Sequence, residues 1–197
     1  MVRSVRRERW LAARKADLLP IPYFHVVFTL PHALNALAQG NPRVLYALLF
    51  RAAADTLLTF GRDPRHLGGT IGITAILHTW GQALTQHLHL HCLVTGGALA
   101  ADRSRWIAGR SSFLFPVRAL SMVFRAKYLA GLRRAFDAGQ LTFAGGTADL
   151  RRSPDLHRVP RSAAGRRLDR VCEAALRRPR AGARLPRSVH PPRGAVQ

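Results

Sequence analysis

Cysteine is nearly missing from this 197-residue chain: Cys92 and Cys172 are the only two, and they form no CxxC pair. That excludes a disulfide framework and a cysteine-held structural zinc within the chain. Acidic residues are scarce as well, 10 against 31 Lys and Arg, which leaves a formal charge of +21. Such an excess makes a polyanion the expected partner, with nucleic acid ahead of a membrane surface. No apolar run is expected to reach the length of a spanning helix, no strongly amphipathic basic helix stands alone at a terminus, and no signal-type apolar segment follows the basic first nine residues. A cytoplasmic protein without a membrane partner is the expectation. The last absence is local. No Trp, Tyr or Phe follows Phe143, while residues 145–197 hold 13 Arg, no Lys and half of the 12 prolines. Such a stretch cannot bury much of a core. It reads either as a disordered basic tail that adheres to phosphate or as the product of a frame change in a GC-rich gene, and composition leaves both open.

What is present centres on Gln86-His87-Leu88-His89-Leu90-His91-Cys92-Leu93-Val94, running into Thr95-Gly96-Gly97. Histidine and apolar residues alternate with period two, and in a strand that period sends every second side chain to one face. Leu88, Leu90, Cys92 and Val94 would then pack on a core, leaving the imidazoles toward a groove or solvent. Neutral imidazoles are good metal ligands, each offering one nitrogen while the other N–H is held by an acceptor. An exposed polar strand face that binds nothing would show the same alternation.

Around this strand the chain reads as an α+β protein, a central antiparallel sheet flanked by helices and followed by a disordered basic tail. Residues 1–19 form a basic N-terminal helix, from Arg6 to Leu19, stopped by Pro20 and Pro22. Residues 20–144 form the core. Tyr23 to Leu30 is a buried strand ended by Pro31; helical spacing returns in His32 to Gln39 and, past Pro42, in Arg43 to Phe60. Gly61 to Gly69 is a loop, and Thr70 to His78 a second strand, joined to the histidine strand by Gly81 to Thr85 and so most simply antiparallel to it. Trp106-Ile107 and Phe113-Leu114-Phe115 add short strands, with Ala101 to Arg105 as a hairpin loop. Pro116 opens a helix from Val117 to Asp137, with Leu120, Phe124, Tyr128 and Leu132 at helical spacing. Arg118, Arg125, Lys127, Arg133 and Arg134 make this helix basic, either as a DNA contact or as a solvated face.

The stretch from Arg7 to about Phe143 resembles the rolling-circle insertion-sequence transposases of the two-tyrosine HUH class. The resemblance is carried by the words Arg7 to Leu11, Pro22 to Pro31, Leu77-His78-Thr79-Trp80-Gly81-Gln82 and His87 to Gly97, in that order. The histidine–hydrophobe–histidine signature falls on His89-Leu90-His91, with Leu88 where the family usually has Pro.

The resemblance implies metal-dependent cleavage and transfer of single-stranded DNA at transposon ends. A divalent ion, Mg²⁺ or Mn²⁺, would be held by His89, His91 and a third ligand, with His78 favoured over Gln82 and His87. A tyrosine would attack the phosphate, leaving a 5′-phosphotyrosine and a 3′-hydroxyl. Ligand chemistry by itself would not select magnesium, because imidazole favours zinc and later transition ions. The family's paired tyrosines belong downstream of Phe143, where this chain has none; only Tyr23, Tyr46 and Tyr128 exist. Suitable synonymous codons for Glu173 through Pro192, read one nucleotide later, can spell a segment like the family's tyrosine block. The expectation is therefore a transposase fragment that keeps its metal ligands and has lost its nucleophile to a frameshift. Two other functions compete: a non-catalytic nucleic-acid-binding module, and a hydrolase using zinc-bound water on three histidines.

Overall fold

A computed structural model of the chain describes residues 8, 9, 12, 13, 18–80, 86–110, 112, 114–145, 147, 148 and 174–177, with the backbone alone for Trp80, Gln86, His87 and 174–177. Two compact units divide the chain, residues 22–179 and a second unit of residues 1–21 with 180–197. In the second unit, Glu8, Arg9, Ala12 and Ala13 are helical and exposed; Leu18 and Leu19, expected to close that helix, are instead non-helical and exposed, and the other residues of the expected helix lie outside the described residues.

The larger unit begins with strand β1, Tyr23–Thr29, in which Phe24, Val26 and Phe28 are buried while Tyr23, His25, Val27 and Thr29 are half-buried. A 3-10 turn at His32–Leu34 leads into helix α1, Asn35–Gly40, and helix α2, Pro42–Arg62. Pro42 stands in the first turn of α2, where its missing N–H costs no intrahelical bond. Then come β2 (Gly69–Thr70), β3 (Ile73–Trp80), β4 (Gln86–Thr95), β5 (Gly97–Ala100), β6 (Trp106–Ala108), helix α3 (Val117–Asp137) and β7 (Ala174–Arg177).

Two antiparallel sheets result, a four-stranded one in the order β3-β4-β1-β7 and a three-stranded one in the order β2-β5-β6. The histidine strand β4 is thus internal, antiparallel to β3 as its short link implied. Helices α2 and α3 supply the layer over one sheet face. Phe28 of β1 meets Phe124 of α3 at a ring separation of 4.5 Å, and Tyr128 is fully buried beside Phe124. The two helices approach closely at Gly131, where an added Cβ would come within 2.7 Å of Leu48 Cδ2. Lys127 Nζ ties them together by donating to the Asp55 carbonyl and to Thr59 Oγ1, both at 2.8 Å.

In the larger unit four expectations change. The strand read as Thr70 to His78 is broken at Ile71-Gly72 into β2 and β3. Gly72 sits against Thr95, whose Oγ1 accepts from Gly72 N at 2.9 Å, and a Cβ at Gly72 would lie 2.9 Å from Thr95 Cγ2. Phe115 is buried core just ahead of α3 rather than part of a strand, and Phe113 lies outside the described residues. The 21-residue α2 is long and apolar enough to cross a membrane, against the expectation that nothing reaches that length; between Arg43 and Arg62 it carries only Arg51 and Asp55 as charges. Its Leu45, Leu49, Ala53 and Leu57 are fully buried in the core. Finally, four residues of the expected tail form β7, antiparallel to β1 from His25↔Arg177 to Phe28↔Ala174. A paired edge strand satisfies backbone groups irrespective of side-chain polarity, which is why composition could not reveal it. The remainder of the tail after Ala148 lies outside the described residues.

Candidate metal centre

Strand β4 alternates as its sequence implies. Leu88, Leu90, Cys92 and Val94 are at most 1% exposed and face the helices, whereas His89 and His91 are half-buried on the opposite face. Burial pushes the Cys92 thiol up to about 12, so it is an inert core group. The antiparallel register sets His78 of β3 directly opposite His89 and Ile76 opposite His91. Residues opposite one another share a face, so His78 joins the pair. Ring centres of His78 lie 5.2 Å from His89 and 4.3 Å from His91, with 4.8 Å between His89 and His91.

One ligand nitrogen from each of the three lies within 4.8 Å of the others. Around a zinc-type ion ligand nitrogens stand about 3 to 3.5 Å apart, so modest ring rotations close the remaining distance. The donor set is nitrogen only, with no carboxylate in the group. His91 is held neutral, its pKa lowered to about 4 chiefly by burial and then by the neighbouring His78, His25 and His89. A neutral imidazole is the form that ligates, so the residues present fit a divalent ion of borderline softness.

The structure therefore brings together His78, His89 and His91. Of the other third-ligand candidates, Gln82 lies outside the described residues and His87 is described only in its backbone. The five basic residues Arg118, Arg125, Lys127, Arg133 and Arg134 all lie on α3, which covers the face of the sheet opposite the histidines. Arg118 and Arg134 are exposed, and Lys127 is engaged in holding α3 to α2. They do not meet the triad.

One residue escaped the sequence reading. His25 of β1 places its Nε2 2.7 Å from His91 Nδ1. The signal was present in principle, because His25 occupies the half-buried parity of a strand that alternates as strictly as β4. What spacing could not supply was that β1 pairs with β4 in a register that sets Val27 opposite His91.

A family model described as "Putative transposase" (Y2_Tnp) matches residues 72–192, a range that contains His78, His89 and His91 but not His25. "Putative transposase y4qJ" of Sinorhizobium fredii (strain NBRC 101917 / NGR234) is 54% identical over 140 residues, 71% of this chain and 35% of that protein. "Transposase for insertion sequence element IS801" of Pseudomonas savastanoi pv. phaseolicola is 39% identical over 92 residues, 47% of this chain and 22% of that protein. The chain thus spans about a third of the length of the first relative and about a fifth of the second. A solved structure of the conjugative relaxase TrwC in complex with OriT DNA, metal-bound, overlaps with a TM-score of 0.45 at 20% identity, covering 57% of this chain and 43% of that one. The protein belongs to this transposase family.

Proposed function

We propose that this chain is the metal-binding part of a DNA transposase, in which His78, His89 and His91 hold a divalent ion against a phosphate of single-stranded DNA at a transposon end. The observation that supports it most directly is the convergence of three imidazoles on one sheet face, in a chain of formal charge +21. When bound, the ion polarises a phosphoryl oxygen. Of the two ions the resemblance implies, Mn²⁺ suits an all-nitrogen set better than Mg²⁺, which prefers oxygen ligands. The chain itself contributes neutral imidazoles, a rigid internal strand to carry two of them, and cationic surface for the phosphodiester backbone. Its place of action would be the cytoplasm.

In the proposed reaction a tyrosine oxygen bonds to phosphorus and the bond to the leaving 3′-oxygen breaks, giving a 5′-phosphotyrosine and a 3′-hydroxyl. The positions of the chain's three tyrosines support the further reading that it lacks the nucleophile. Tyr128 is fully buried on the helix side of the sheet, and Tyr46 is packed against the core on α2. Tyr23 shares the histidine face, but it lies four residues along β1 from Val27, the residue opposite His91, roughly 13 Å away. The chain would accordingly bind and orient DNA without cleaving it. Incubating the full chain with transposon-end single-stranded DNA and Mn²⁺ should give a metal-strengthened complex and no covalent adduct; a tyrosine-linked adduct overturns the reading. Metal titration that is insensitive to His89→Ala and His91→Ala would instead favour a plain nucleic-acid-binding module. The same three imidazoles would also suit a zinc-bound water, and tight zinc with hydrolytic turnover in the Tyr23→Phe, Tyr46→Phe, Tyr128→Phe triple variant would favour that hydrolase.

The proposal extends to the tail, read as the product of a frame change that removed the tyrosine block. The family match continuing to residue 192 makes the competing claim that the tail as translated carries family pattern. The gene decides between them. Downstream of the codon for about Leu150, another frame should encode two tyrosines about one helical turn apart; if no frame does, the tail is native to the chain.

A further inference from the structure

His25 lies outside the residues matched by the family model, and spacing along the chain assigns it no part. Its contact with His91 has a specific geometry. The nitrogens are 2.7 Å apart, the ring planes differ by 6°, and the ring centres are 4.9 Å apart. Rings stacked face to face would bring their centres much closer before two nitrogens reached that distance. The two imidazoles are instead edge to edge in nearly one plane, each aiming a nitrogen at the other, which is an imidazole–imidazole hydrogen bond.

Such a bond takes one N–H and one bare nitrogen. A ring that gives one nitrogen to a metal carries its proton on the other. With Nδ1 of His91 turned toward His25, Nε2 is the nitrogen His91 has left for an ion, and His78 and His89 complete the group. The β1–β4 ladder holds this arrangement. Seven paired positions fix His25 opposite Leu93, one strand repeat from His91 on the same face, so the reach across the diagonal is set by backbone register and not by a flexible loop.

We propose that His25 is a positioning residue for the metal centre: its Nε2 accepts the His91 Nδ1–H, selecting the tautomer and ring orientation that present His91 Nε2 to an ion shared with His78 and His89. This rests on the metal-centre reading above. His25 does not itself ligate, because the nitrogen nearest the site is spent on His91.

The test uses the full chain with Zn²⁺ as the probe. Long-range proton–nitrogen correlation of the imidazoles in the zinc-loaded wild-type protein should show His91 protonated at Nδ1 and ligating through Nε2; ligation through Nδ1, or zinc-bound His25, overturns the proposal. In calorimetric titration, His25→Phe, which keeps a ring but offers no acceptor, should weaken zinc binding about 10- to 100-fold. His25→Gln, whose side-chain carbonyl can take the place of Nε2, should recover most of that loss. Equal affinities for wild type and His25→Phe overturn the inference alone, as does a Gln variant as weak as the Phe variant at the same melting temperature. If His25→Phe does not fold, the wild-type spectrum still decides. Absence of zinc binding by the wild type defeats the metal-centre reading and this inference with it.

Discussion

The two faces of the four-stranded sheet are built from the same strands by the same alternation, yet they follow opposite rules. On the helix side, Phe24, Val26, Phe28, Leu88, Leu90, Cys92 and Val94 are almost wholly excluded from water. On the other side, His25, His78, His89 and His91 form a connected polar group, with Ile76 46% exposed beside them. Every second residue stabilises the fold by burial, and the residues between include the four histidines. An internal strand makes this division sharp, since a slip of one residue would exchange the two sets. The lesson is that the core face holds the register, and the register holds the imidazoles.

Substitutions can break this contrast from either side. The largest effect on stability is expected from Phe28→Ala, where loss of a fully buried ring against Phe124 should cost about 3–5 kcal/mol in urea unfolding and abolish metal binding with the fold. The opposite face should behave inversely. His89→Ala and His91→Ala should remove Mn²⁺ and Zn²⁺ binding in titration, while unfolding free energy shifts by no more than about 1 kcal/mol. A large loss of stability in those variants would mean the histidines serve the fold. Lys127→Met should cost about 1 kcal/mol by releasing the donor bonds between α2 and α3, with single-stranded DNA affinity otherwise little changed. A pH series sharpens the contrast further. Because the folded-state pKa of His91 is lowered to about 4 from 6.5, the unfolded chain takes up its proton first, so metal-free stability falls as pH drops from about 6.5 to 4 and is flat above. Thermal melts should show this fall in the wild type and not in His91→Gln. Ile76→Ala should be smallest, within about 0.5 kcal/mol, since the side chain is half in water already.

Much of the fold was legible along the chain. Period two in residues 88–94 and the 3.6-residue stripe of Leu120, Phe124, Tyr128 and Leu132 report burial directly, and all of these stripe residues are core. The break at Gly72 was illegible because it depends on Thr95, 23 residues away. The edge strand β7 was hidden for a related reason: ladder pairing is a backbone property, and a stretch rich in Arg and Pro gives no period to read. In the candidate site, His89 and His91 were legible as a pair, and His78 was favoured over Gln82 and His87 because a neighbouring antiparallel strand could bring its end beside them, as the register does. His25 went unassigned although it sits in a quoted motif, since its proximity to His91 is a matter of 66 residues of intervening chain.

The sequence by itself determined which side chains of each strand go together, because parity is a local consequence of strand geometry. It also determined the charge of +21 from which a polyanion partner is expected, and the absence of tyrosine beyond Tyr128. Only the tertiary structure decided which strands lie side by side and in what register. Pairing β3 to one edge of β4 and β1 to the other is what sets His78 and His25 on either side of His91, and no local rule fixes a register between segments so far apart in the chain.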